Sequence, residues 1–159
     1  MKRSTVIVVA LIVAAGSVAY ARIESIFLQS LRSIRSEVRW VPSSEASVDL
    51  DGDWMPDNMA LGNVTDGVVL AIKSTATGKF HYVDFRVEKG DPDAFCAVPV
   101  KLSKVALSCS ANAAGMPGCK ESPRTYSLVL NDGSCAPINV YWDHEQKGPV
   151  WWRAPAAGQ

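Results

Sequence analysis

The sequence predicts an α+β fold: a long N-terminal helix, half membrane segment and half amphipathic, packed on an antiparallel β-sheet, with a disulfide-stapled C-terminal region. Three observations predict it. An uncharged apolar run passes directly into residues with helical periodicity, two β-branched segments follow at hairpin spacing, and the four cysteines all lie in the later part of the chain. At 159 residues and 48% hydrophobic content, one core is filled and no second domain is needed. Sixteen basic residues balance sixteen acidic ones. The one local basic group, Arg32, Arg35 and Arg39, lies on the predicted helix, so the footprint expected of a nucleic-acid binder is missing.

Lys2 and Arg3 precede STVIVVALIVAAGSVAYA, Ser4 to Ala21, which carries no charge before Arg22. That run reaches the lower limit of about 18 apolar residues for a membrane span. It also reads as a signal peptide, with an apolar centre at Val6–Ala15, a breaker at Gly16, and Ala19 and Ala21 framing an A-x-A-like cleavage site. Residues 1–21 are therefore a membrane segment or signal peptide, and residues 22–159 a single extracytoplasmic domain, because Lys2 and Arg3 tend to stay inside. The expected address is inner-membrane anchored or exported, with the domain in the periplasm or outside the cell.

From Arg22 to Arg39, Ile23, Ile26, Phe27, Leu31, Ile34 and Val38 recur at three- and four-residue steps, the stripe of an amphipathic helix. No proline intervenes between Thr5 and Val41, so the two segments are expected to form one rod of about 35 residues and about 50 Å. Trp40, Val41 and Pro42 end it. The next stretch, PSSEASVDLDGDWMPDNMALGN, is rich in turn residues and reads as loop. Gly67–Ser74 is β-branched and apolar, and in KFHYVDFRVE the residues Val83, Phe85 and Val87 alternate with polar ones, so two strands are expected with TATG as their turn. Asp91 as N-cap and Pro92 at the first helical position predict a short helix in GDPDAFCAVPVKLSKVAL, limited by Pro99. RTYSLVLN and PINVYWD read as closing strands joined around Asn131-Asp132-Gly133.

Cys96, Cys109, Cys119 and Cys135 are even in number, as for two disulfides in an oxidising compartment. Of the three pairings we expect Cys109–Cys119, closing a short loop, and Cys96–Cys135, tying a helix start to a late strand. Zinc would require tighter spacings such as C-x2-C.

Asp49, Asp51, Asp53 and Asp57 fall at relative positions one, three, five and nine, the spacing by which calcium loops aim alternate carboxylates inward. The places of the loop's glycine and of its closing acid hold Trp54 and Ala60. The segment also resembles the loops of thrombospondin type 3 repeats, in a single copy. The readings are a weak calcium site or a polar connector whose carboxylates are solvated or cap amides. No other cofactor is expected. His81 and His144 belong to no catalytic motif, and Asp143-His144-Glu145 reads as a solvated turn because neighbours on an extended chain point to opposite faces. The chain is therefore expected not to be an enzyme. Val140 and Trp142 read as core, while of Trp151 and Trp152 one is expected to be exposed as a contact. Asn63-Val64-Thr65 is a glycosylation sequon too common to weigh.

TVIVVALIVAAGSVAY running into an amphipathic helix, then MPDNMALGNVTDGVVLAI, FHYVDFRV and DPDAFC with a late Cys135, resembles the type IV pilin family, nearest its type IVb group. That resemblance implies a non-enzymatic envelope subunit with a structural or adhesive role in a pilus, whose partners are the membrane and other pilus or envelope subunits through the N-terminal helix. Thr5 stands where the family's glutamate is expected, and Met1–Thr5 carries no prepilin leader, which implies a minor or accessory subunit. The alternative is an exported binding module with a weak calcium loop, cleaved after Ala21.

Overall fold

The computed structural model describes residues 24–112 and 114–153. The apolar run Ser4–Ala21 and its cleavage site, with Arg22 and Ile23, lie outside the described residues. The rest corrects the predicted fold class. The domain is mostly β: two antiparallel sheets stack face to face, and one short helix, α1 (Ile26–Ile34), covers the outer face of the first. Among the described residues no helix is long and apolar enough to cross a membrane.

The first sheet contains β1 (Arg39–Trp40), β2 (Ala46–Val48), β3 (Asp57–Val64), β4 (Gly67–Lys73) and β5 (Phe80–Arg86). β3 is central, taking β1 and β2 on one side and β4 on the other, with β5 beyond β4. The second sheet runs β6 (Lys101–Ala106), β7 (Tyr126–Asn131), β8 (Ile138–Asp143) and β9 (Gly148–Arg153) in sequence order.

Alternation along the strands builds two cores. Met59, Leu61, Val68, Leu70, Ile72 and Phe85 point toward the second sheet and meet Leu128, Leu130, Ile138, Val140 and Trp142. Ala60, Val69 and Ala71 point the other way, under Phe27, Leu28 and Leu31 of α1. Both faces of β3 and β4 are thus covered, which explains the nearly unbroken apolar run of β4. Each fully buried leucine or isoleucine contributes about 1.5–3 kcal/mol.

Tertiary packing overrides the helical periodicity after one short element. Ser25 caps α1, its hydroxyl accepting from the Leu28 N–H at 3.1 Å. The helix stops at Arg35, whose guanidinium is held by Glu37 and Asp84 at 2.8 and 2.9 Å. Val38, in the bend that follows, and Trp40, in β1, are then drawn over Gly62. The buried stripe also differs from the expected one: Phe27, Leu28 and Leu31 face the sheet, while Ile26 is 82% exposed and Ile34 53% exposed.

Two further segments depart from the predicted elements. The expected loop contains β2 and β3, because Ala60 and Gly62 supply the small residues that the layer above requires. A Cβ on Gly62 would collide with Val38 and come within 2.8 Å of the Trp40 ring. Gly62→Val is therefore expected to cost about 3 kcal/mol, the upper range for overpacking, read as a lower urea midpoint; an unchanged midpoint would contradict this packing. The expected helix near Pro92 is a turn, followed by the edge strand β6. The Phe95 N–H donates to the Arg86 carbonyl at 2.9 Å and the Phe95 carbonyl accepts from the Glu88 N–H at 2.8 Å, so its backbone is committed to the first sheet and its ring enters the core.

Cys96 pairs with Cys135 and Cys109 with Cys119. The first bridge joins the segment after Phe95 to the β7–β8 connection, and the second closes a loop between β6 and β7.

Candidate metal centre

Asp49–Pro56 connects β2 to β3 at one end of the sandwich. Buried Leu50 pins it to the core, and the Tyr126 N–H of the second sheet donates to the Asp49 carbonyl at 3.2 Å. Asp57, the first residue of β3, is fully buried. Its carboxylate accepts from the Leu50 N–H at 3.1 Å and the Thr75 N–H at 3.0 Å, so it clamps the loop to the β4–β5 turn.

Within this frame Asp49, Asp51 and Asp57 each place a carboxylate oxygen within 4.8 Å of one another. Oxygens sharing one calcium at about 2.4 Å can be at most about 5 Å apart, so these three fit a single hard cation. Asp53, the fourth predicted ligand, stands beside the cluster. One of its oxygens accepts from the Met55 N–H at 2.7 Å, while the other is enclosed and has no hydrogen-bond partner.

Local backbone geometry follows from the same carboxylates. Asp49 accepts from the Gly52 and Trp54 N–H groups at 2.7 and 3.1 Å, and Asp51 from the Asp53 N–H at 3.2 Å. The Ser74 hydroxyl, itself buried, reaches Asp51 at 3.4 Å. Gly52 and Trp54 both have φ +74°. For Trp54 this left-handed conformation costs about 1–2 kcal/mol. Trp54 occupies the place of the calcium-loop glycine and adopts that glycine's backbone, while its side chain is 72% exposed beneath the Arg124 guanidinium, 4.9 Å from the ring centre.

Electrostatics record the crowding. Burial, followed by the charge of Asp57, pushes the Asp51 carboxyl up to about 6, and Asp53 and Asp49 add to the effect. Burial also raises Asp57, against the backbone N–H groups of Thr75, Leu50 and Asp51 that favour its ionised form. Ionised together, these groups repel one another, and a divalent cation would relieve that repulsion.

The other candidate residues do not assemble into a site. His81 lies edge-on to Trp142 at 4.9 Å, and burial lowers its pKa; burial also lowers that of His144. Asp143 is buried rather than solvated, its carboxylate accepting from the Glu145 and Gln146 N–H groups of the β8–β9 turn. Val140 and Trp142 are core, and Trp151 and Trp152 are each half-buried, Trp151 edge-on to Phe85 at 5.6 Å. Asn63 sits in β3 opposite Arg39 and Val68. Ser74, Thr75 and Arg124 were not identifiable from sequence because they reach the loop from distant strand ends. No protein-family model, curated protein or solved structure matches the chain.

Proposed function

We propose that this chain is an exported, non-enzymatic envelope domain whose Asp49–Asp57 loop binds calcium and, when loaded, holds Trp54 and Met55 out as a contact surface. The observation that carries the reading is the convergence of Asp49, Asp51 and Asp57 beside an enclosed, partnerless oxygen of Asp53. The two disulfides fit an oxidising compartment. Oxygen-only ligands select a hard cation, and extracellular calcium modules work in the range of about 0.1–1 mM.

Thermal unfolding tests this reading. At a hundredfold excess over its dissociation constant, calcium would add about 2.7 kcal/mol, a rise of roughly 5–10 °C for a domain of this size. Asp51→Asn with Asp53→Asn should abolish the rise, and a rise that persists in this variant would place the metal elsewhere. The pH dependence has a definite sign. Because the folded-state pKa of Asp51 is raised, its contribution to calcium-free stability is full below its ordinary pKa and is lost as pH climbs through about 6. Calcium requires the ionised form, so its stabilising increment should be larger at neutral pH than in mild acid.

A pilus or envelope subunit is the second reading, favoured by one observation: α1 packs on the first sheet just after the apolar run. Crosslinks in the native envelope that join copies through their N-terminal residues would favour it over a monomeric binding module.

A further inference from the structure

Loops from the two sheets meet at one end of the sandwich. β6 ends at Ala106 and β7 begins at Tyr126, so the connection that holds Cys109–Cys119 emerges where Asp49–Pro56 joins β2 to β3. Its returning stretch touches the aspartate loop at three successive residues. The Tyr126 N–H donates to the Asp49 carbonyl at 3.2 Å, and the Arg124 guanidinium covers the Trp54 ring. Between them Thr125 lies so close to Gly52 that a Cβ there would stand 3.3 Å from the threonine hydroxyl. The backbone of Asp49 and of Gly52–Trp54 is therefore set from the second sheet.

The returning stretch has little burial of its own. Lys120 to Arg124 are all exposed, and Thr125 is the first buried residue after the bridge. The Thr125 hydroxyl shares a hydrogen bond of 2.5 Å with that of Ser122, its carbonyl accepts from the Leu107 N–H at 3.0 Å, and the Glu121 carboxylate accepts from the Cys109 N–H. Before Cys119 the chain is seated on β8 and its turn: the Tyr141 hydroxyl donates to the Pro117 carbonyl and the His144 N–H to the Gly118 carbonyl, both at 3.0 Å. The bridge joins this seat to the end of β6 and so fixes where the stretch begins. Both of its cysteines are half-buried, within reach of a reductant. The other bridge lies far from the loop, because β7 runs from Tyr126 at the loop end to Asn131 at the opposite end, where Cys135 follows.

We infer that the Cys109–Cys119 bridge sets the calcium affinity of the Asp49–Asp57 loop, with Glu121–Tyr126 as the positioning stretch, and that a dithiol able to open the bridge releases the ion. The inference rests on the calcium reading of that loop. Opening is a thiol–disulfide exchange. A thiolate of the dithiol attacks one bridge sulfur and the other leaves as a thiolate. The dithiol's second thiolate then displaces the first cysteine, so the dithiol ends as a disulfide and its two electrons and two protons end on Cys109 and Cys119. With the bridge open, the stretch must be ordered when calcium binds, and that entropic cost lowers the affinity. Linkage makes the effect reciprocal: the factor that the bridge adds to calcium affinity is the factor that calcium adds to the bridge's resistance to reduction.

Calcium titration of three oxidised full chains tests it: wild type, Cys109→Ser with Cys119→Ser, and Cys96→Ser with Cys135→Ser. Loss of the short bridge should raise the calcium dissociation constant about tenfold, within the usual range of coupling between sites. Loss of the long bridge should leave that constant unchanged, although on loop length it is the one that contributes more to stability. General loosening of the domain would give the reverse order. A second measurement uses the native chain and so stands whether or not either variant folds. In a dithiol redox buffer, with free thiols trapped by alkylation and located by mass spectrometry, calcium should protect Cys109–Cys119 by the same factor of about ten and leave Cys96–Cys135 unaffected. Equal dissociation constants for wild type and the short-bridge variant, an equal or larger loss in the long-bridge variant, or reduction of Cys109–Cys119 that ignores calcium overturns the coupling and leaves the calcium reading in place. No saturable binding to the wild-type chain removes the calcium reading, and the coupling with it.

Discussion

Replacing Cys96 and Cys135 together by serine is expected to lower the unfolding free energy by about 4 kcal/mol. The bridge spans a sequence separation of 39 residues, whereas Cys109–Cys119 spans 10. On the chain-entropy account, opening loops of these lengths costs about 4 and about 3 kcal/mol, so the longer bridge should matter more. Against a total of about 5–15 kcal/mol, either loss is large. The domain should nevertheless fold without the longer bridge, because polar contacts hold the same two segments. The Asp132 carboxylate accepts from the N–H groups of Cys96 and Ala97 on one side and of Ser134 and Cys135 on the other. Burial would raise the pKa of Asp132, but these four donors outweigh it and hold the group below its ordinary value. Arg153 donates to the carbonyls of Ala94 and Ala136, each at 2.5 Å, completing the tie. Guanidinium denaturation of the two double variants checks the ranking; equal losses, or a larger loss for the short bridge, would show that loop closure is not what the long bridge contributes.

Neighbouring carboxylates of the aspartate cluster should respond to substitution with opposite signs. Asp57→Ala strands the buried Leu50 N–H and the partly buried Thr75 N–H. At about 1–3 kcal/mol for each unsatisfied group, less the relief of repulsion, the loss should be about 3 kcal/mol. Asp51→Asn keeps an oxygen for the Asp53 N–H and removes a charge that its surroundings disfavour. The calcium-free domain should therefore become slightly more stable near neutral pH while losing its calcium response. Urea denaturation in chelator, repeated in calcium, separates the two. Destabilisation by both substitutions without metal would mean that Asp51, like Asp57, is a structural clamp.

The legible parts of the fold were those in which local pattern and tertiary packing agree. β4 and β5, with their TATG turn, read directly from β-branched and alternating residues, and so did β7 and β8 around Asn131–Gly133. The amphipathic stripe overextends the helix because Val38 falls four residues after Ile34, yet in the fold Val38 lies in the bend before β1 and packs over Gly62, a partner more than twenty positions away. β3 was missed for the converse reason: Asp57, Asn58, Gly62 and Asn63 suggest loop one at a time, while the alternation of Met59 and Leu61 against Ala60 acquires meaning only between two layers. β6 was hidden behind Asp91 and Pro92, good helix-start residues that here open a turn. In the candidate site, all four aspartates were legible from their spacing, and the structure gathers three of them. Ser74, Thr75 and Arg124 were invisible because proximity across a sandwich end leaves no mark in a local pattern.

Calorimetric titration of calcium into chelator-stripped protein at about pH 7, repeated at about pH 5, is the most direct measurement. One saturable site per chain at neutral pH, weaker in acid because Asp51 must give up its proton, is the predicted result. No saturable binding up to several millimolar calcium, the weak end of extracellular calcium sites, would contradict it and leave Asp49, Asp51, Asp53 and Asp57 as caps for the backbone of a strained connector.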